Sequence, residues 1–373
     1  MTDPLPMLAR LAQTPAAPFR EADVARALLL LLDSAGIPWT RDPFGNVLAR
    51  VQRGAPHQAL AMVAHLDHPA FEVTAVNHSG VIGKLLGGVR IEALPAGTPL
   101  RMMTGGWWQP ASLLAADPDA QPGAVTLHID APAGAKAGDW GVWEMPDYAE
   151  DGALLRMRAC DDLAGCASIL AALMDAAAGD WPVDLTAVFT RAEEAGLVGA
   201  TLVAQQGLLP HDTMVISVES SRQLPGALQG AGPVIRVGDV RSTFHPAAEA
   251  VLQAASGSLR EADPAWKAQR QLMSGGTCEA TAFAQFGYRV TGLALPLGNY
   301  HNVPDAVYDS TPLPPEGPAV APEYIHRDDL LGAARLLGQT ARSAAGPLPD
   351  TAKARLEALA DEYRDRLQAS AGG

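Results

Sequence analysis

At 373 residues the chain is long enough to bury a sizeable core, in two domains or one large one. Hydrophobic residues at 48% and charged residues at 18% exclude a disordered polymer. A formal charge of −14 argues against nucleic-acid or anionic-membrane partners, which call for a basic face.

The first residues, "MTDPLPMLARLAQTPAAPFREADVARALLLLLDSAG", lack a basic segment followed by a cleavage site, so no signal peptide is expected. No apolar run reaches the length of a membrane span. Cys160, Cys166 and Cys278 are an odd count without zinc-finger spacing and read as buried small hydrophobes. The expected compartment is the cytoplasm. Residues 21–36 read as a helix, with Glu21 and Asp23 at its start and Gly36 at its end. "NVLARV" and "ALAMVAHLDH" read as strands, the second buried. Between residues 72 and 156, short strand-like pieces ("EVTAV", "GVIGKLL", "AVTLHI", "GVWEM") alternate with Gly, Pro and Asp turns, which predicts a small all-β module. Beyond residue 158, helix and strand alternate. "LAGCASILAALMDAAA", "GLVGATLVAQQGLL", residues 246–260 and "ATAFAQFG" are helical; "VDLTAVFT", "DTMVISVES" and "RVTGLALPL" are strands. Helices over 327–342 and 350–369 close the chain, after a Pro-rich loop, "STPLPPEGPAVAPEY". The alternation predicts an α/β fold, a mostly parallel sheet with helices on both faces, formed by residues 1–71 and 157–373. Residues 72–156 are the inserted β-rich domain.

Five stretches bring polar residues to the ends of predicted buried strands: "AHLDH" (His65, Asp67), "ACDDLAG" (Asp161, Asp162), "TRAEEAG" (Glu193, Glu194), "VISVESS" (Glu219) and "LGNYHN" (His301). Successive acids are about one helix plus one strand apart, so they return to one edge of the sheet, where ligands bind in open parallel sheets. Each stretch alone has an ordinary explanation: a cap, a helix-dipole partner or a surface pair. Their joint occurrence in this order is what those explanations leave unaccounted for. Two imidazoles with several carboxylates suit divalent cations, zinc in particular. The acids outnumber the needs of one ion, which points to two metals sharing a carboxylate and a water, roughly 3.5–4 Å apart.

The series resembles the co-catalytic zinc aminopeptidases, and most of all the tetrahedral, glutamyl or deblocking aminopeptidases (peptidase family forty-two). The long gap between His65 and Asp161, with "LGGVR" and "HIDAPAGAKAGDWGVW" inside it, matches the β module that this family carries there. The resemblance implies a zinc-peptidase fold of the phosphorylase/hydrolase-like kind. His65 and Glu219 would bind one metal, His301 and Glu194 the other, and Asp161 would bridge them, with a cis peptide between Asp161 and Asp162. Asp67 would stand behind His65 and fix its orientation. Glu193 would be the general base that takes a proton from the attacking water and returns it to the leaving amine. The cofactors implied are two divalent ions, zinc or else cobalt or manganese. The substrates implied are short peptides, and the assembly a homo-oligomer, possibly a tetrahedral dodecamer.

The chain departs from the family pattern at several points. Glu219 stands where Asp is usual, "DDL" replaces "DDR", His68 occupies a position where an acid is common, and "GGTCEA" and "GNYHN" replace familiar substrate-side segments. His68 reads as a structural histidine rather than a ligand. Other reactions remain on the same residues: deacylation of N-acyl amino acids, carboxypeptidase-type hydrolysis, or a metal-binding assembly protein without activity. A retained Glu193 argues against the last. No G-x-S-x-G elbow or Cys–His placement supports a Ser or Cys hydrolase.

Overall fold

The structure is a computed structural model that describes residues 1–78, 80–119, 124–309, 319–347 and 351–371. Its centre is Leu60–His65, an unbroken apolar strand buried at every position. Alternate side chains of a strand face opposite sides. Leu60, Met62 and Ala64 therefore pack with the helices Leu5–Ala12, Ala22–Ser34, Cys160–Ala178, Pro246–Ala262 and Arg327–Ser343. Ala61 and Val63 face the other way, against Val198–Gln205 and Glu279–Gln285. Helices thus cover both faces, as the alternation predicts.

The sheet itself is mixed rather than mostly parallel. Val183–Thr190, Leu60–His65, Met214–Arg222 and Arg289–Gly298 run parallel in that order. Val47–Arg53 and Trp39–Arg41 add antiparallel strands at one side. On the other side come Glu323–His326, Leu154–Met157 and Ala149–Asp151, all antiparallel. Helical crossovers make the central strands parallel, whereas the flanks are hairpins and chain returning from the insertion. Residues 149–156, assigned from sequence to the β-rich module, therefore pair with the main sheet. The sequence reading also leaves Leu5–Ala12, Val234–Asp239, Gln269–Met273 and Glu323–His326 unassigned; all are short.

Strands Ala70–Asn77, Gly80–Leu86, Val125–Asp130, Trp107–Pro118, Pro99–Thr104 and Trp140–Trp143 close into a barrel in that order. Phe71, Leu100, Met102, Leu127 and Trp143 fill it as a separate core. The last helix, Thr351–Ser370, has every described side chain exposed. Most of the predicted Pro-rich loop, 310–318, and the first residue of the predicted helix 350–369 lie outside the described residues. Among the described residues no helix is long and apolar enough to cross a membrane.

Candidate metal centre

His65 ends its strand, and Thr190 ends the neighbouring strand in register with it. The chain then turns through Ala192, at a left-handed φ of 53°, to present Glu193 and Glu194. Glu219 lies inside Met214–Arg222 rather than at its end, yet at the level of His65 through the Val63–Ser217 pairing. Asp161 precedes the regular part of helix Cys160–Ala178; its φ/ψ of −85°/106° are not helical, and the Asp161–Asp162 peptide is cis. His301 follows Arg289–Gly298 in a turn where Asn299, His301 and Asn302 all have φ between 52° and 59°. Left-handed backbone in non-glycine residues clusters at functional sites, where the surroundings hold it in place.

These turns bring all five sequence-assigned ligand candidates together. His65 Nε2 is 3.3 Å from Asp161 Oδ1 and 3.9 Å from Glu219 Oε1. His301 Nε2 is 3.7 Å from Asp161 Oδ2 and 3.2 Å from Glu194 Oε1. Asp161 stands between, one oxygen toward each imidazole. His65, Asp161 and Glu219 form one set of potential ligand atoms within 4.8 Å of one another, and Asp161, Glu194 and His301 form a second.

His65 Nε2, Asp161 Oδ1, Glu194 Oε1 and Glu219 Oε2 are buried without a hydrogen-bond partner. Burying polar atoms unpaired is costly, so an inward-facing group of them fits bound cations. The protonation balance agrees. Burial opposes a charged His301, but Glu194 overrides it and raises the imidazole to about 10. His65 is likewise held well above its ordinary value against burial, by Glu193 and Asp161 among others. Burial pushes Asp161 up to about 7, and Glu193 well above the usual carboxylate range. A centre with this surplus of acid is one that divalent cations balance.

Asp67 does something other than the sequence assigned. Its carboxylate accepts the backbone N–H groups of Glu193 and Glu194, each at 3.0 Å, and so fixes the turn bearing both acids. His65 Nδ1 instead lies 3.1 Å from the Asp67 backbone carbonyl, against 3.8 Å for the nearer carboxylate oxygen. One residue thus orients the His65 imidazole through its main chain and the glutamate turn through its side chain. Asp162 caps the helix: its Oδ1 accepts the Gly165 N–H at 3.2 Å, three residues on.

Three contributors escape sequence reasoning. Gly88, in the loop after barrel strand Gly80–Leu86, accepts from His301 Nδ1 at 2.7 Å through its carbonyl, leaving Nε2 to face the acids. Glu323, fully buried, accepts the N–H groups of both Asp161 and His301. Asn302 binds His68. No local pattern marks a backbone carbonyl, and Glu323 falls at the end of the Pro-rich stretch that reads as a loop. The cysteines are free and buried, as expected. Gly275, Gly276, Thr277 and Tyr300, from the two divergent segments, line a small cavity with Glu219.

Comparison with known proteins supports a hydrolase acting on peptide bonds. The family model of the M42 glutamyl aminopeptidases matches residues 130–308, and this is the family that the motifs resemble. Among solved structures, the TET1 peptidase of Pyrococcus horikoshii superposes with a TM-score of 0.73 at 18% identity, over 91% of this chain and 99% of that one. An aminopeptidase from the archaeon Desulfurococcus kamchatkensis gives 0.73 at 21%, over 92% and 95%. An M18-family aminopeptidase of Thermotoga maritima gives 0.60 at 14%, over 90% and 94%. A search of curated proteins finds no match.

Proposed function

We propose that the chain is a dinuclear metal-dependent aminopeptidase that removes N-terminal residues from short peptides. The observation that carries this reading is the pair of ligand sets sharing Asp161. His65 and Glu219 would hold one cation, His301 and Glu194 the other, with Asp161 common to both. Zinc suits this mixed imidazole and carboxylate set, with cobalt or manganese as alternatives. Bound cations supply electrophilic polarisation of the scissile carbonyl and acidify the attacking water. Glu193 is the group left for proton transfer. Its backbone is fixed by Asp67, and burial raises its proton affinity, which suits a carboxylate that must take a proton from water and hand it to the leaving amine. We also assign the chain to a homo-oligomer, on the likeness to TET1, which is described as assembling into a tetrahedron or an octahedral shell. We place it in the cytoplasm, consistent with its free cysteines.

The test is a panel of free and N-acetylated aminoacyl substrates, assayed with metal-loaded protein and with Glu193→Gln. The expected outcome is release from free N-termini only. The variant should retain about two metals but lose activity by roughly 10²–10⁴-fold, the range for a general acid–base group. Turnover confined to blocked substrates would instead establish a deacylase.

A further inference from the structure

The loop bearing Asp161 and the loop bearing His301 are far apart in sequence and are joined by one buried carboxylate. Glu323 Oε2 accepts the Asp161 N–H at 3.0 Å, and its Oε1 accepts the His301 N–H at 2.8 Å. Both oxygens are thereby occupied, and the side chain has no cationic partner among the described salt bridges. Keeping a carboxylate fully buried for two backbone N–H groups is expensive unless the position of those groups matters.

A second contact ties the same loops. His68 lies with Nδ1 2.9 Å from the Asp161 carbonyl and Nε2 2.9 Å from Asn302 Oδ1. Asn302 Nδ2 donates to the Arg158 carbonyl, which fixes the amide with its oxygen toward His68. Asp161 is thus held at its N–H by Glu323 and flanked at its carbonyl by His68, and both connections lead to residues 301–302.

We propose that Glu323 is a positioning residue of the metal centre: by holding the backbones of Asp161 and His301 together it sets the ligand spacing on the His301 side, with His68 as its auxiliary. This rests on the metal-centre reading above. The other ligand set depends less on it, because His65 and Glu219 are carried by paired strands of the central sheet.

Glu323→Gln tests the idea with little change of volume, since the amide nitrogen must face one of the two N–H donors. Metal uptake would be measured by calorimetry on the full chain with zinc, and with manganese as a second probe, beside circular dichroism and thermal unfolding. The expected result is a split: affinity for one metal falls tenfold to a hundredfold, the range for lost outer contacts, while the other changes by less than about threefold. A merely structural role would lower the melting temperature without separating the two affinities. His68→Leu, should the first variant misfold, is expected to give the same split with a smaller loss. Folded variants that take up both metals as the native chain does, or that lose both equally, overturn the proposal. A native chain that takes up no metal would overturn the metal-centre reading itself, and this inference with it.

Discussion

Glu279 is a buried carboxyl group outside both ligand sets, and it carries a pH signature. Thr190 Oγ1 donates to its Oε1, while its Oε2 is buried without a partner. Burial raises its pKa from 4.5 to about 8. The unfolded chain therefore gives up this proton at lower pH than the folded one. The stability it contributes is complete below about 4.5 and is lost as pH rises toward about 8, at up to about 1.4 kcal/mol per pH unit. Glu279→Gln keeps an acceptor for Thr190 and removes the titration. Its melting temperature should rise relative to the metal-free native protein as pH increases from 5 to 8; a constant difference across that range would contradict the assignment. The candidate ligands were legible because each stands where a buried strand gives way to a turn, a pattern that spacing reveals. The residues that hold them were not. Asp67 works through its carbonyl as much as its carboxylate, and the partners of Glu323 are backbone N–H groups, to which any sequence gives the same letters.

Helix Cys160–Ala178 shows the same division at the scale of an element. Its existence follows from an apolar, alanine-rich run, but its first turn is shaped by a contact no periodicity discloses. A Cβ built at Gly165 would lie 2.3 Å from Asp162 Oδ2. Two effects compete in Gly165→Ala. Helix propensity favours alanine by about 1 kcal/mol. The clash with a buried capping carboxylate costs about 1–3 kcal/mol, in the range for overpacking. The second wins, because Asp162 is fully buried and held by the Gly165 N–H. Net destabilisation of up to about 2 kcal/mol should appear in urea unfolding. An alanine variant more stable than the native chain would show that the cap can move aside. The central strands and major helices were legible for the reason this helix was: each is long and strongly patterned. Short strands such as Val234–Asp239 and Glu323–His326 were missed, since a few apolar residues fit several elements.

For the whole molecule, composition and alternation foretold the α/β layers and the position of the β insertion, but not the antiparallel flanks. One flank is an N-terminal hairpin, and the other depends on where the chain re-enters the sheet after the barrel. Helix Thr351–Ser370 lies outside this economy. Leu356 and Leu367 are 67% and 68% exposed, and its ion pair Lys353–Glu357 is a solvent-facing contact of little worth. Ending the chain after residue 347 should leave the melting temperature within about 1 °C, as for surface changes of under 0.5 kcal/mol. A drop of several degrees would mean that the helix is covered in the assembled protein.

The carbonyl of Gly88 ties the barrel to the chemistry. By topology the barrel is separable: it closes on itself, has its own core and leaves the main sheet through one pair of connections. By function it is not. The imidazole of His301 has two ring nitrogens it could turn to the acids, and the barrel selects one by accepting a hydrogen bond from the other. A chain pared down to its α/β layers would keep every candidate ligand in its sequence and yet leave His301 free to swivel, so the insertion is a fixture of the candidate metal centre and not an ornament upon it.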